Sequence, residues 1–191
     1  MIRCLSLLAA AAFATAVVAP VVGASADAPS PQARAAALPT LRLDGIGPLR
    51  LGMTSAAALR TGWLANRGRG CELAGDPLPF VFQFRGPRAP AGLVGIATFD
   101  GSTRKLTNIS FRRGVRTATG VVAGQTTATG MVNRYKDAGF SARAQFFDTF
   151  AGTLVTVRRG GKRVVGGFAN GRASARRPLA TLAIPGVSIC D

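Results

Sequence analysis

Leu49-Arg50-Leu51-Gly52-Met53-Thr54 joins a strand-like segment to the start of a helix. Gly52 breaks a strand-like pattern, and the Thr54 hydroxyl can accept a backbone N–H from the first turn of a helix. Ala56, Ala57, Ala58 and Leu59 propagate that helix, and Gly62 stops it. Val121-Val122-Ala123-Gly124-Gln125-Thr126 repeats the arrangement 72 positions later and opens a second helix over 127–138 that ends at Gly139. Each helix gives way to Gly plus an aromatic, Gly62-Trp63 and Gly139-Phe140. The two matched openings predict an α+β fold: two tandem helix-plus-antiparallel-sheet units forming one compact domain, with half-repeats at about 40–115 and 116–191.

Outward from these openings the chain reads mainly as strands. Residues 41–51 form a short strand or hairpin, with turns at Gly45 and Gly47-Pro48. Phe80, Phe82 and Phe84 alternate with Val81, Gln83 and Arg85, the period of a half-buried strand with its aromatic face inward. Residues 93–99 and 106–112 make a hairpin around Asp100-Gly101. Strands over 141–147, 152–158 and 163–169 follow, the last two joined at Gly160-Gly161. A final strand over 179–184 leads through Pro185-Gly186 to Cys190. Strands that arrive in hairpins predict antiparallel pairing.

The chain starts as an export signal. Arg3 precedes an apolar run over 5–22, and Ala24-Ser25-Ala26 is an A-x-A cleavage pattern, so residues 1–26 read as a signal peptide and the mature chain begins at Asp27. Cys4 lies before the apolar run, where a lipid-modified cysteine would follow it. Residues 27–39, rich in Ala and Pro, read as a flexible tether to one domain at 40–191. The expected product is secreted or extracytoplasmic, with no transmembrane segment after processing. Of 191 residues, removal of 26 leaves 165, enough for a real core. Cys71 and Cys190 are then the remaining cysteines, and an oxidising compartment predicts that they pair. Closing so long a loop is worth up to about 4–5 kcal/mol in the chain-entropy model.

Charge sets the second expectation. The sequence has 24 Lys and Arg against 8 Asp and Glu, a formal net charge of +16, and Arg outnumbers Lys heavily. A GC-rich genome accounts for the Arg-to-Lys ratio but not for the scarcity of acids. Such a balance produces a long-range positive field that attracts anionic polymers, anionic lipid or acidic proteins. The candidate anion-binding residues are Arg112, Arg113 and Arg116 at a strand end, Arg158, Arg159, Lys162 and Arg163 at a hairpin turn, and Arg172, Arg176 and Arg177 in the next loop. Arg67 and Arg69 form a smaller group after the first helix. Aromatic residues do not interleave with these arginines as a base-stacking platform requires, so nucleic acid is not an expected partner.

Most catalytic chemistry is excluded by composition. There is no histidine, which removes Ser-His-Asp and Cys-His catalysis and every His-containing zinc site. The acids are scattered; the nearest pair, Glu72 and Asp76, reads as a solvated loop beside Pro77. No phosphate loop, nucleophile elbow or dinucleotide motif occurs in a supporting context. The expectation is a protein that is not an enzyme and that carries no cofactor or metal.

The run Arg50-Leu51-Gly52-Met53-Thr54, a helix, a Gly and then Cys71 resembles the Gly-Met-Thr helix start of the β-lactamase inhibitor protein family. In that family two such units in tandem present a concave sheet to an enzyme. A similar Gly-Met-Thr turn opens helices in the small lipoprotein of the outer-membrane assembly machinery. The resemblance covers about a third of the expected mature chain and implies a small secreted bacterial binding protein that engages a partner through its sheet face. The chain departs from the inhibitors in having one cysteine pair and not one per half, in lacking Met at Gly124-Gln125-Thr126, in lacking counterparts of their contact residues, and in being far more basic. The expected partner is therefore an unidentified protein held on the sheet face or, as the alternative, an anionic cell-wall polymer or lipid of the envelope.

Overall fold

The computed structural model describes residues 37–173 and 176–188. The expected signal peptide at 1–26, tether residues 27–36 and Cys190 lie outside the described residues.

Three short strands come first, β1 (Thr40–Arg42), β2 (Gly45–Ile46) and β3 (Leu49–Arg50), followed by helix α1 (Ser55–Arg60). Strands β4 (Ala65–Arg69), β5 (Phe80–Gln83), β6 (Val94–Phe99), β7 (Leu106–Arg113) and β8 (Arg116–Thr117) precede helix α2 (Ala128–Asp137). The chain then runs through β9 (Ser141–Phe147), β10 (Gly152–Arg159), β11 (Lys162–Asn170) and β12 (Thr181–Ile184). Eight strands form one antiparallel sheet in the order β4-β5-β6-β7-β12-β11-β10-β9, and four form a small sheet in the order β3-β2-β1-β8.

The expected pair of tandem helix-plus-sheet units is overturned: the protein is mostly β and is organised around one continuous sheet. The expected boundary between 115 and 116 is crossed twice, since β8 pairs in parallel with β1 and β12 pairs antiparallel with β7. The helices are also unequal. Ten-residue α2 buries Ala128, Met131 and Tyr135 and packs on β9, β10 and β11. Six-residue α1 buries only Ser55 and Ala58 and leaves Leu59 40% exposed. A helix that short closes few intrahelical bonds and brings too little apolar surface to act as a layer. The Gly-x-Thr pattern encodes helix starts, which are local, and not the layers built from them.

Both helix starts form, the second one residue later than the alignment of Thr126 with Thr54 implies. Thr54 Oγ1 accepts the Ala57 N–H at 3.3 Å, and Thr127 Oγ1 accepts the Gly130 N–H at 3.1 Å. The alternation over 80–85 also holds, with Phe80, Phe82 and Phe84 buried. Phe80 stacks on Phe99 at 5.4 Å between centroids, Phe82 meets Phe99 edge-on at 5.7 Å, and Phe84 meets Phe111 at 4.6 Å. Such pairs add about 0.5–1.5 kcal/mol each beyond their buried area. Leu41, Ile46 and Leu49 of the small sheet join the same core cluster. Gly167 lets α2 approach, because a Cβ there would stand 2.6 Å from Met131 Sδ. Strand β4 has no counterpart in the sequence reading. Its residues are polar, and it forms the edge with a register shift near Asn66, whose φ is +53°.

The β6–β7 turn is organised by one carboxylate. Asp100 Oδ1 accepts the Thr103 N–H at 2.7 Å, the Thr103 hydroxyl at 2.7 Å and the Ser102 hydroxyl at 2.8 Å. These bonds, the Thr103 backbone N–H foremost, lower the Asp100 pKa from its ordinary 3.8 to about 2. A folded-state value below the unfolded one means stabilisation that is complete above 3.8 and lost as pH falls toward 2. Acid unfolding followed by circular dichroism should therefore lose part of its slope in that window in Asp100→Asn, and an unchanged slope would refute the assignment.

Candidate functional site

Strand alternation gives the large sheet two unlike faces. Phe82, Ala97, Ile109 and Val155 are buried in the core. On the opposite face, register places Gln83, Ile96, Ser110, Ala183, Gly166, Thr156 and Arg143 in one row across seven strands. A second row two residues along contains Thr181, Phe168, Leu154 and Gln145. Phe147 lies opposite Gly152 at the edge, and the Phe168 ring covers the place where a Cβ on Gly152 would stand. Phe150 is 49% exposed, with its ring 6.5 Å from that of Phe147. Phe147, Leu154 and Phe168 are half-buried, so this end of the face is apolar and open to solvent.

The other part of the face is covered by the chain itself. After β12, residues 185–188 run back over the sheet. Asn108 Nδ2 donates to the Gly186 carbonyl at 2.6 Å. A Cβ on Gly166 would meet the Val187 nitrogen and would stand 2.8 Å from Gly186 Cα, so only glycine admits this strap. Gly186 in turn lies against the Arg163 side chain. Ser188 shares a cavity of about 440 Å³ with Cys71, Glu72, Val81, Ile96 and Thr98. Cys71 is not a free thiol; Cys190, its expected partner, lies outside the described residues.

The expected anion-binding clusters are partly assembled and partly dispersed. Arg112 lines a cavity of about 390 Å³ on the uncovered face, with Gln83, Arg85, Ile96, Ser110 and Thr181. It also lines an adjoining cavity of about 370 Å³ with Asn170 and Arg177. Arg177 Nη1 reaches the Asn170 carbonyl at 3.4 Å. Arg113 lies beside Gly124, which lines that second cavity too, and Arg116 belongs to the small sheet, opposite Thr40. In the β10–β11 hairpin Arg158 faces Arg163 and Arg159 faces Lys162 directly. Arg158 donates to the Gly161 carbonyl at 2.8 Å, while Arg159 covers the Phe140 ring at 5.7 Å. Arg172 covers Phe146 at 4.5 Å, and Arg176 is exposed in the same loop.

Acidic groups contribute little. The ion pairs among the described residues join Asp44 to Arg42 at 3.6 Å and to Arg50 at 3.5 Å, and Glu72 to Arg69 at 4.0 Å, all exposed. Pairs of that kind are worth about 0–1 kcal/mol. Glu72 and Asp76 are both exposed. Among the described residues no cluster of three or more Cys, Asp or Glu gathers to hold a metal, and no helix is long and apolar enough to cross a membrane. The sequence reading did not single out Arg85, Thr181, Phe168 or Leu154. Alternation with the buried phenylalanines is the signal that marks Gln83 and Arg85 as facing away from the core.

No family model matches this chain, and no curated protein matches it. Among solved structures it is similar to the uncharacterized protein yfeY from Escherichia coli, at 12% identity and a TM-score of 0.48, over 76% of this chain and 98% of that one.

The strap makes a direct prediction. Gly166→Ala should push residues 185–188 off the sheet and speed hydrogen exchange of their amides while leaving β9 and α2 unchanged. Unaltered exchange in the strap would show that Gly166 does not seat it.

Proposed function

We propose that this chain is an exported, non-catalytic binding protein that holds a protein partner on the uncovered part of its large sheet. The observation that carries this reading is the apolar end of that face, where Phe168, Leu154, Phe147 and Phe150 retain accessible surface among the described residues. Burying such side chains yields about 25 cal/mol per Å², and aromatic anchors dominate the energetics of protein interfaces. Export is supported by the charge, apolar run and A-x-A pattern of residues 1–26. A Cys71–Cys190 bond is supported by the course of the strap, since Ser188 lies beside Cys71 two residues before Cys190. The bond would fasten the strap across the face.

A second reading, association with an anionic envelope polymer or lipid, is favoured by the β10–β11 hairpin. Like charges directly opposite one another destabilise a sheet pair, so the Arg158–Arg163 and Arg159–Lys162 juxtapositions suit an anionic surface that would relieve them.

A pull-down from the envelope fraction of the producing cell separates the two. A partner on the apolar face should survive about 1 M salt, where the screening length falls to roughly 3 Å, and should be lost with Leu154→Asp. Association that salt abolishes and Leu154→Asp leaves intact would replace the protein reading with the anionic one. On gels, the chain should migrate faster without reductant, and Cys71→Ser should remove the shift; an unchanged wild-type band would sink the bond.

A further inference from the structure

Resting on that reading, we infer that the partner presents an acidic polypeptide segment, whose carboxylates bind Arg85, Arg112 and Arg177 while its apolar side chains cover Phe168 and Leu154. Arg112 lines two cavities, of about 390 and 370 Å³, the first shared with Arg85 and the second with Arg177. All three are exposed, and none is within ion-pair distance of an acid among the described residues. Guanidinium groups so placed repel one another and offer planar forks that match carboxylates bidentately.

Charge alone would suit any polyanion; the neighbours of Arg112 discriminate. Thr181 shares its cavity, Phe168 stands directly opposite Thr181, and Leu154 directly opposite Phe168. A ligand lying along this line meets a cation and then, past buried Thr181, two half-buried apolar side chains. A uronic-acid or phosphate polymer carries charges without apolar side groups and leaves that end of the line unused. A polypeptide carries both, and its peptide groups can bond with the Gln83 and Asn170 amides that line the groove. The strap covers the adjoining row at Gly166 and so confines the ligand to this line.

The test uses the purified full chain and four probes: a peptide alternating Glu and Leu, a peptide of Glu alone, polygalacturonate, and phosphatidylglycerol vesicles. The Glu/Leu peptide should bind at least about tenfold tighter than any of the others at fixed salt, a gap of about 1.4 kcal/mol. Arg112→Glu should weaken it by about tenfold or more. Lys136→Glu, the same charge change on exposed α2 across the sheet, should weaken it less than about twofold, as expected for screened distant charges. Equal weakening by both variants, equal binding of a charge-only probe, or no peptide binding would each overturn the inference. A captured envelope protein lost with Leu154→Asp but retained with Arg112→Glu would discard the acidic segment and leave the protein-binding reading standing.

Discussion

The pairing of β12 between β7 and β11 is the constraint on which the rest of the structure depends. Leu182 faces Phe111 on one side and Gly167 on the other, and Ala183 faces Ser110 and Gly166. All four residues, Thr181–Ile184, are buried. Without this strand β4–β7 and β9–β11 would be separate ribbons, each with a long unpaired edge. A strand joined on both sides and covered on both faces needs a continuous apolar run, and Thr-Leu-Ala-Ile nearly is one. Because β12 is also the last strand, the chain leaves it in the middle of the sheet and can turn back across the face.

The two faces then meet opposite demands. One receives α2, which enters closely because Gly167 has no side chain, and Tyr135 extends that contact. Its buried hydroxyl bonds with Thr117 and Thr119, which ties α2 to the strand that completes the small sheet. Burial pushes the Tyr135 pKa up, since the charged phenolate would be desolvated. The other face accepts the strap at Gly166, while Arg112 is exposed and Phe168 and Leu154 are half-buried. Adjacent glycines thus serve the two faces, one admitting a helix and the other the terminal segment.

Local features were legible in the sequence. Thr54 caps its helix as its hydroxyl requires, the strand at 141–147 forms over those residues, and the phenylalanines of β5 point inward as their period demands. Strand β4 was not legible, because an edge strand needs no apolar alternation and Ala-Asn-Arg-Gly-Arg has none. The fold class was misread for a related reason. Two similar helix openings suggest two similar units, but α1 is too short to cover a sheet and the C-terminal strand pairs with β7.

The large positive charge, the absence of histidine, the Thr54 cap and the hairpin turn at Asp100-Gly101 are properties of the chain as written. Each is a count, or a contact between residues a few positions apart. Which strands are neighbours and which arginines share a cavity follow from the folded chain alone. Those outcomes depend on pairings between distant segments, such as Asn108 with Gly186, whose energies come from burial and register that no local pattern encodes.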